Sequence, residues 1–352
     1  MNIAIIGYGG MGGYHAANIA EYEKTQPQFP LHVKGVYDLR AERGEAARAA
    51  GLHAYRSAEE IWQDAEISAV LIATPNDFHA PYTEAAARAG KHVICEKPIA
   101  LTSEEAEKMY DAAEKYGVVF EVHQNRRWDE DYLTVKNIYE SDLIGSVYCI
   151  ESRVMGGNGI PGDWRKVAAK GGGMMPDWGV HLLDQMLQMI PSAVESLYCE
   201  YSYVYGEEVE DGFCLTVNFE NGVKYRVTVA TDCLRNLPRW QVYGTEGTAT
   251  VQDWDLSGGV TRMIVKKDAQ IQGIKAGNGF TRTMAPREGD SVEERDLPIV
   301  RAEPFAFYKN FAAACAGKEK PKILRGEVVR VMRLMEAAAR SAKENIVIKE
   351  KI

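Results

Sequence analysis

Asn2-Ile3-Ala4-Ile5-Ile6-Gly7-Tyr8-Gly9-Gly10-Met11-Gly12 decides how this chain is read. The first five residues are an apolar run of the kind that fills a buried parallel strand, and residues 11–20 read as a helix. Between the two stands G-x-G-x-x-G, in the strand–turn–helix setting that gives it meaning. Gly7 permits the tight turn, Gly9 lets a pyrophosphate approach the backbone, and Gly12 lets the helix pack closely on the strand. Tyr8, Gly10 and Met11 complete the turn, and the free N–H groups at the helix start face the phosphates. A second strand, residues 33–37, ends at Asp38-Leu39-Arg40. Asp38 can accept from both ribose hydroxyls and repel a 2′-phosphate, so NAD is expected ahead of NADP. Arg40 is the residue that could pair with such a phosphate. The interval to Asp38 is long, and residues 21–31, with Pro27 and Pro30, are read as a loop insertion.

Strands and helices then alternate. Residues 41–50 form a helix that Gly51 ends, and Ser57-Ala58-Glu59-Glu60 is a capping box for a short one. Residues 68–73 and 92–95 are apolar strands, each followed by a helix, and residues 118–122 are the last strand of the series. Such alternation predicts a doubly wound parallel sheet. Ligands on these sheets sit beyond the carboxyl ends of the strands. Thr74-Pro75-Asn76, Glu96-Lys97-Pro98 and His123-Gln124-Asn125 therefore face the same cofactor as the glycine turn.

After Arg127 the pattern changes to long strand-like runs at 197–205, 212–219, 223–230, 240–244 and 247–253, with Asn221-Gly222 as a hairpin signal. The expectation is a second, α+β domain with a mostly antiparallel sheet, the boundary falling between residues 122 and 123. Residues 254–300 are read only as strands and long loops. Helices at 304–316 and 325–342 close the chain, the second returning towards the first domain. The alternating runs at 197–205 and 223–230 suggest an open sheet face that a second copy covers, hence a homodimer or homotetramer.

With 352 residues, two domains are expected. A formal charge of −9 without a basic stripe disfavours nucleic acid, and no apolar run is long enough for a membrane span. The first residues already read as a strand of the fold, so no signal peptide is expected. Six scattered cysteines lack zinc or redox spacing, and reduced thiols in a cytoplasm are expected.

Two places carry chemistry. Lys97, at a strand end and before a proline, can donate to a substrate oxygen or depress the pKa of a neighbouring base. Gly171-Gly172-Gly173-Met174-Met175-Pro176-Asp177-Trp178-Gly179-Val180-His181-Leu182-Leu183-Asp184 is the second. In a regular helix Asp177, His181 and Asp184 share one face, and a carboxylate one turn from an imidazole can orient it. Such a histidine can take a hydroxyl proton as hydride leaves carbon. Two acids and a histidine can also ligate zinc, but no metal is expected here.

Taken together, the glycine turn, Thr74-Pro75-Asn76 with His79, Glu96-Lys97-Pro98, and the triple glycine with Asp177, Gly179, His181 and Asp184 resemble the Gfo/Idh/MocA oxidoreductases. The resemblance spans nearly the whole chain. It implies a Rossmann domain joined to an α/β domain with a large open sheet, and NAD(P)-dependent redox chemistry on sugars, cyclitols or their derivatives. It implies a catalytic set of Lys97, Asp177 and His181. Gln124-Asn125-Arg126-Arg127-Trp128-Asp129 resembles the stretch after the last Rossmann strand in inositol dehydrogenases, which would bring Asn125 and Arg127 to the substrate with Asp184. Trp164-Arg165 resembles the family's pair beside the nicotinamide. The expected activity is oxidation of a ring hydroxyl to a ketone. The alternatives are a dehydrogenase of intact glycosides and a non-catalytic dinucleotide-binding regulator.

Overall fold

The computed structural model describes residues 1–26, 28–162, 164–264, 274–278, 280–282, 287 and 289–352. Six strands form the first sheet: β1 (Asn2–Ile6), β2 (His32–Tyr37), β3 (His53–Ala54), β4 (Ala69–Ile72), β5 (His92–Cys95) and β6 (Phe120–Val122). All pair in parallel, in the order β3-β2-β1-β4-β5-β6. The order reverses between β1 and β4, the switch point at which doubly wound sheets bind their ligands. Covering both faces requires apolar strands on both sides, and every residue of β4 is buried.

The connecting helices are α1 (Gly10–Thr25), α2 (Ala41–Ala49), α3 (Ala58–Gln63), α4 (His79–Arg88) and α5 (Ser103–Tyr116). Ser57 and Thr102 cap α3 and α5 by accepting from the backbone of Glu60 and Glu105, as their spacing predicts. Helix α1 runs on to Thr25, where a loop is expected from residue 21. Residues 21–25 have good helix propensity, and Tyr22 packs its ring on Phe29 and Tyr308, which rewards the extra turn. Pro27 lies outside the described residues.

After α6 (Glu130–Glu140), the second sheet begins with β7 (Val147–Met155). Then come α7 (Val180–Met189), β8 (Val194–Ser202), β9 (Gly212–Phe219), β10 (Lys224–Ala230), β11 (Trp240–Gly244), β12 (Gly247–Val251) and β13 (Gly258–Met263). A small hairpin of β14 (Ile274–Ala276) and β15 (Phe280–Arg282) precedes β16 (Val292–Arg295). The order β16-β13-β12-β11-β7-β10-β9-β8 is antiparallel throughout except where β7 meets β10. Asn221-Gly222 does join β9 to β10, with Gly222 at φ +86°. Of the segment at 254–300, residues 265–273, 279, 283–286 and 288 lie outside the described residues.

Helix α8 (Ala306–Cys315) and helix α9 (Arg325–Glu344) complete the chain. Helix α9 packs on β8 and α7 and also meets α5. There Ser103 donates from N and Oγ to Glu336, and Arg325 pairs with Glu107. Outward positions on β9 and β10 are Cys214, Thr216, Asn218, Lys224, Arg226 and Thr228. On these two strands the outward positions are mostly polar, while Tyr203, Val204 and Tyr205, at the end of the run that begins with β8, are exposed. Among the described residues no helix is long and apolar enough to cross a membrane.

Candidate active site

The glycine turn is shaped by close approach. Gly7 stands at φ +91°, and a Cβ there would lie 2.5 Å from the Ala73 carbonyl oxygen. A Cβ on Gly12 would fall 1.9 Å from the Gly7 carbonyl oxygen, so only a hydrogen fits between α1 and the turn. A Cβ on Gly10 would meet nothing within 4 Å, and no side chain caps α1. The result is an open cradle ending on a helix N-terminus, which suits a diphosphate. Beside it, Asp38 Oδ2 accepts from the Tyr8 N–H at 2.8 Å, while Oδ1 accepts from Arg40 N at 3.0 Å and Nε at 3.3 Å. Leu39 between them is exposed. These residues fit a dinucleotide, whose phosphates would lie at Gly9 and Met11 and whose ribose would lie at Asp38.

The three strand-end loops meet at the same edge. Asn76 is buried and donates from Nδ2 to the carbonyls of Lys170 and Gly171, tying the β4 exit to the triple glycine. His79, expected at the cofactor, is fully buried behind the rim. Its ring nitrogens lie 3.0 Å from the Thr74 carbonyl and 2.9 Å from that of Pro98, so it holds two rim loops together. Gln124 is buried at the end of β6, and Trp164 lies under the Arg165 guanidinium at 4.7 Å. The triple glycine is needed where Gly173, at φ +108°, has the Glu210 carboxylate in the space a side chain would take. Glu210 then accepts from the Met175 N–H at 2.8 Å.

Lys97 comes from the parallel sheet and Asp177 from the segment leading to α7. Lys97 Nζ donates to the Asp177 carbonyl at 2.9 Å and to Oδ1 at 3.0 Å, and Arg165 Nε lies 3.2 Å from Oδ2. Burial alone would raise the Asp177 carboxyl, but Lys97 and Arg165 outweigh it and hold it below the usual range. The expected orientation of His181 by Asp177 is not realised. Met175–Gly179 is a π-helical turn, which breaks the 3.6-residue register, and both Asp177 oxygens are spent on cations. His181 is buried with Nδ1 unpartnered among the described residues. Burial, then Lys97 and Arg126, hold its pKa well below 6.5, so the ring is neutral.

Arg127 and Asp184, expected at the substrate, bind each other. Arg127 donates to both Asp184 oxygens at 2.6 and 2.8 Å, to Glu327 at 2.7 Å and to the Lys322 carbonyl. The guanidinium therefore joins the β6 exit to α7 and α9 instead of facing an open cleft. Asn125 opens the 3₁₀ turn Asn125–Trp128 that carries Arg126 and Arg127.

The sequence reading also missed a buried chain beneath Lys97. Tyr308 Oη is 2.6 Å from His15 Nδ1, and His15 Nε2 and His123 Nδ1 each lie 2.7 Å from Glu96 Oε1. These are hydrogen-bond distances, shorter than the spacing of donors around one metal ion with bonds of about 2.0 Å. Although burial would raise it, His123 and His15 keep the Glu96 carboxyl well below its ordinary pKa. The available signals were His15, one turn past Gly12, and His123 at the third strand end; neither announces its partner.

The fold and its cradle define the class, a dinucleotide-dependent oxidoreductase of Rossmann type. The GFO_IDH_MocA family described as "Oxidoreductase family, NAD-binding Rossmann fold" matches residues 1–124, and the GFO/IDH/MocA C-terminal domain matches residues 132–250. The chain belongs to the Gfo/Idh/MocA oxidoreductases. It is similar to an NAD-binding protein from Listeria innocua of known structure, at 42% identity and TM-score 0.88 over 99% of this chain and 96% of that one. It is 29% identical to the scyllo-inositol 2-dehydrogenase (NADP(+)) IolW of Bacillus subtilis over 81% of this chain and 80% of that protein. It is also 29% identical to the levoglucosan dehydrogenase of Pseudarthrobacter phenanthrenivorans over 70% of this chain and 72% of that protein.

The environment of His181 sets a pH dependence. Were His181 to act as a base, it would be lost only when pH falls through its own, depressed pKa, and the acid limb of kcat/KM for an accepted substrate would lie below pH 6.5. Lys97→Met removes a cause of the depression and moves that limb to higher pH. A wild-type limb at or above 6.5, or no movement in the variant, would contradict this environment.

Proposed function

We propose that the chain oxidises a ring hydroxyl of a cyclitol, sugar or sugar derivative to a ketone, with His181 as general base. The observation that carries this is the buried, unpartnered Nδ1 of a neutral His181 beside the Lys97–Asp177 pair. A buried nitrogen left without a partner is costly in a folded protein, and a substrate hydroxyl would supply one. The names of the inositol and levoglucosan dehydrogenases support the substrate class.

The hydroxyl proton passes to His181 Nδ1 as the C–H pair leaves carbon, and the oxygen becomes a carbonyl. NAD(P)⁺, when bound, supplies the hydride acceptor at C4 of its nicotinamide. Lys97 has three N–H donors, two of them committed to Asp177, and the third stabilises the oxygen as its charge changes. Asp177 positions Lys97 rather than His181. His181, left as imidazolium, returns its proton to solvent. The preferred cofactor in this reading is NAD, because Asp38 presents a carboxylate at the ribose. Six unpaired cysteines support a cytoplasmic setting, and a homodimer or homotetramer remains part of the proposal. The retained lysine, aspartate and histidine favour turnover over a purely regulatory role.

On a substrate found by following NADH at 340 nm across inositols, hexoses and glycosides, His181→Ala lowers kcat by about two to four orders of magnitude. NADH affinity changes little. Near-wild-type turnover would move the base elsewhere.

The cofactor assignment has its own test. Wild type has the higher kcat/KM with NAD, and Asp38→Ser, which frees Arg40 for a 2′-phosphate, shifts the NAD/NADP ratio towards NADP by about tenfold or more. A native preference for NADP would overturn it.

A further inference from the structure

We propose that Trp178, Arg126 and Trp254 form a subsite for a second ring, one joined through oxygen to the ring that His181 acts on. The inference rests on the oxidation reading above and names its substrate class, an intact glycoside, with an aryl aglycone preferred. It starts at the base itself. Trp178 follows Asp177 in the π-helical turn, and its indole meets His181 edge-on, with ring centres 6.1 Å apart. The Arg126 guanidinium covers the Trp178 ring at 4.4 Å and lies 5.2 Å from that of Trp254. The indoles of Trp178 and Trp254 are 6.2 Å apart, inclined at 43°. Trp254 therefore stands two ring-to-ring steps from His181, in the direction of solvent.

The far end of the platform is built, not incidental. Arg239, fully enclosed, lies over Trp240 at 4.5 Å and Trp254 at 4.6 Å, and it is fixed by Ser152 at 2.7 Å and Asp131 at 3.2 Å. Trp240 is 0% exposed, whereas Trp254 is 44% exposed. The turn that presents Trp254 is held by hydrogen bonds from the Trp254 N–H to Asp253 and from Ser257 to Asp255, with buried Leu256 at φ +63°. Non-glycine residues adopt that backbone rarely, and here it anchors the turn by burying leucine while the indole stays open. Val251 pairs with Trp240, and Trp240 with Ser152, so the turn sits at the end of the large sheet where β7 exits towards the triple glycine. One edge of the platform thus adjoins the base and the other adjoins solvent.

Two cations flank the exposed indole. They polarise the stack and favour an electron-rich ring face, which places a phenolic aglycone ahead of a second sugar. A monocyclic polyol bound at His181 would leave Trp254 untouched.

The test is binding to the NADH-loaded protein, by titration calorimetry, with glucose, cellobiose and phenyl β-glucoside as probes, alongside turnover of the same probes and of inositols with NAD⁺, followed at 340 nm. The expected result is that phenyl β-glucoside binds more tightly than glucose, with cellobiose between them. Trp254→Ala lowers the phenyl glucoside/glucose affinity ratio by about three- to tenfold. Trp254→Phe retains most of the ratio, which separates loss of a stacking ring from a distorted turn. A ratio unchanged in Trp254→Ala overturns the subsite, as does the same loss for both ligands. A dimer that Trp254→Ala dissociates without altering the ratio also overturns it, and assigns the indole to a contact between copies. Trp254-dependent binding without NADH formation from any inositol, hexose or glycoside upholds the subsite and sinks the oxidation reading. NADH formation from glucose or inositol with no second-ring preference does the reverse.

Discussion

The pairing of Lys97 with Asp177 is the contact on which the site depends. One partner ends a strand of the parallel sheet, and the other opens the helix that leads into the antiparallel one. Both side chains are mostly withdrawn from solvent. Removing Asp177 would leave the partly buried Lys97 ammonium without its carboxylate, which commonly costs about 3–5 kcal/mol in a fully buried pair and less where water still reaches it, whereas without Lys97 the Asp177 carboxylate keeps Arg165. Burial is the first reason that His181 stays neutral, and the Lys97 ammonium adds to it by disfavouring a second positive charge nearby.

Behind this pair, two buried networks keep the elements in place. Glu96, next to Lys97, gathers His15 from α1, His123 from the end of β6 and, through His15, Tyr308 from α8. The phosphate helix, two strand ends and a C-terminal helix are thus tied at one carboxylate. Arg127 performs a similar task between the β6 exit, α7 and α9. Charged groups that look like substrate ligands in the sequence are here used to fix backbone, whereas His181 keeps a buried Nδ1 without a partner among the described residues.

Local chemistry was readable from sequence, and tertiary partnership was not. The glycine turn, the capping residues Ser57 and Thr102, and the Asn221-Gly222 hairpin each depend on neighbours within a few residues. The doubly wound parallel sheet follows from strand–helix alternation. The relation of Asp177 to His181 failed because the helical period was applied across a π-turn. Arg127 looked free because Glu327 is 200 residues away, and Glu96 looked like a rim residue because His15 is 81 residues away. The polarity of the outward side of β10 could have been read from alternation at residues 224–230, where Lys224, Arg226 and Thr228 fall on one side. Trp254 lay in a stretch with no periodic pattern, so neither its turn nor its exposure was legible.

A double-mutant cycle on the two bridging residues tests the central claim most directly. With Lys97→Met, Asp177→Asn and the double variant, kcat is measured on one accepted substrate at saturating cofactor. If Lys97 acts only as placed by Asp177, the second substitution removes little beyond the first, and the double variant resembles the worse single one. Losses that multiply, each residue costing the same whether or not the other is present, would contradict the account and separate the two sheets' contributions to the chemistry.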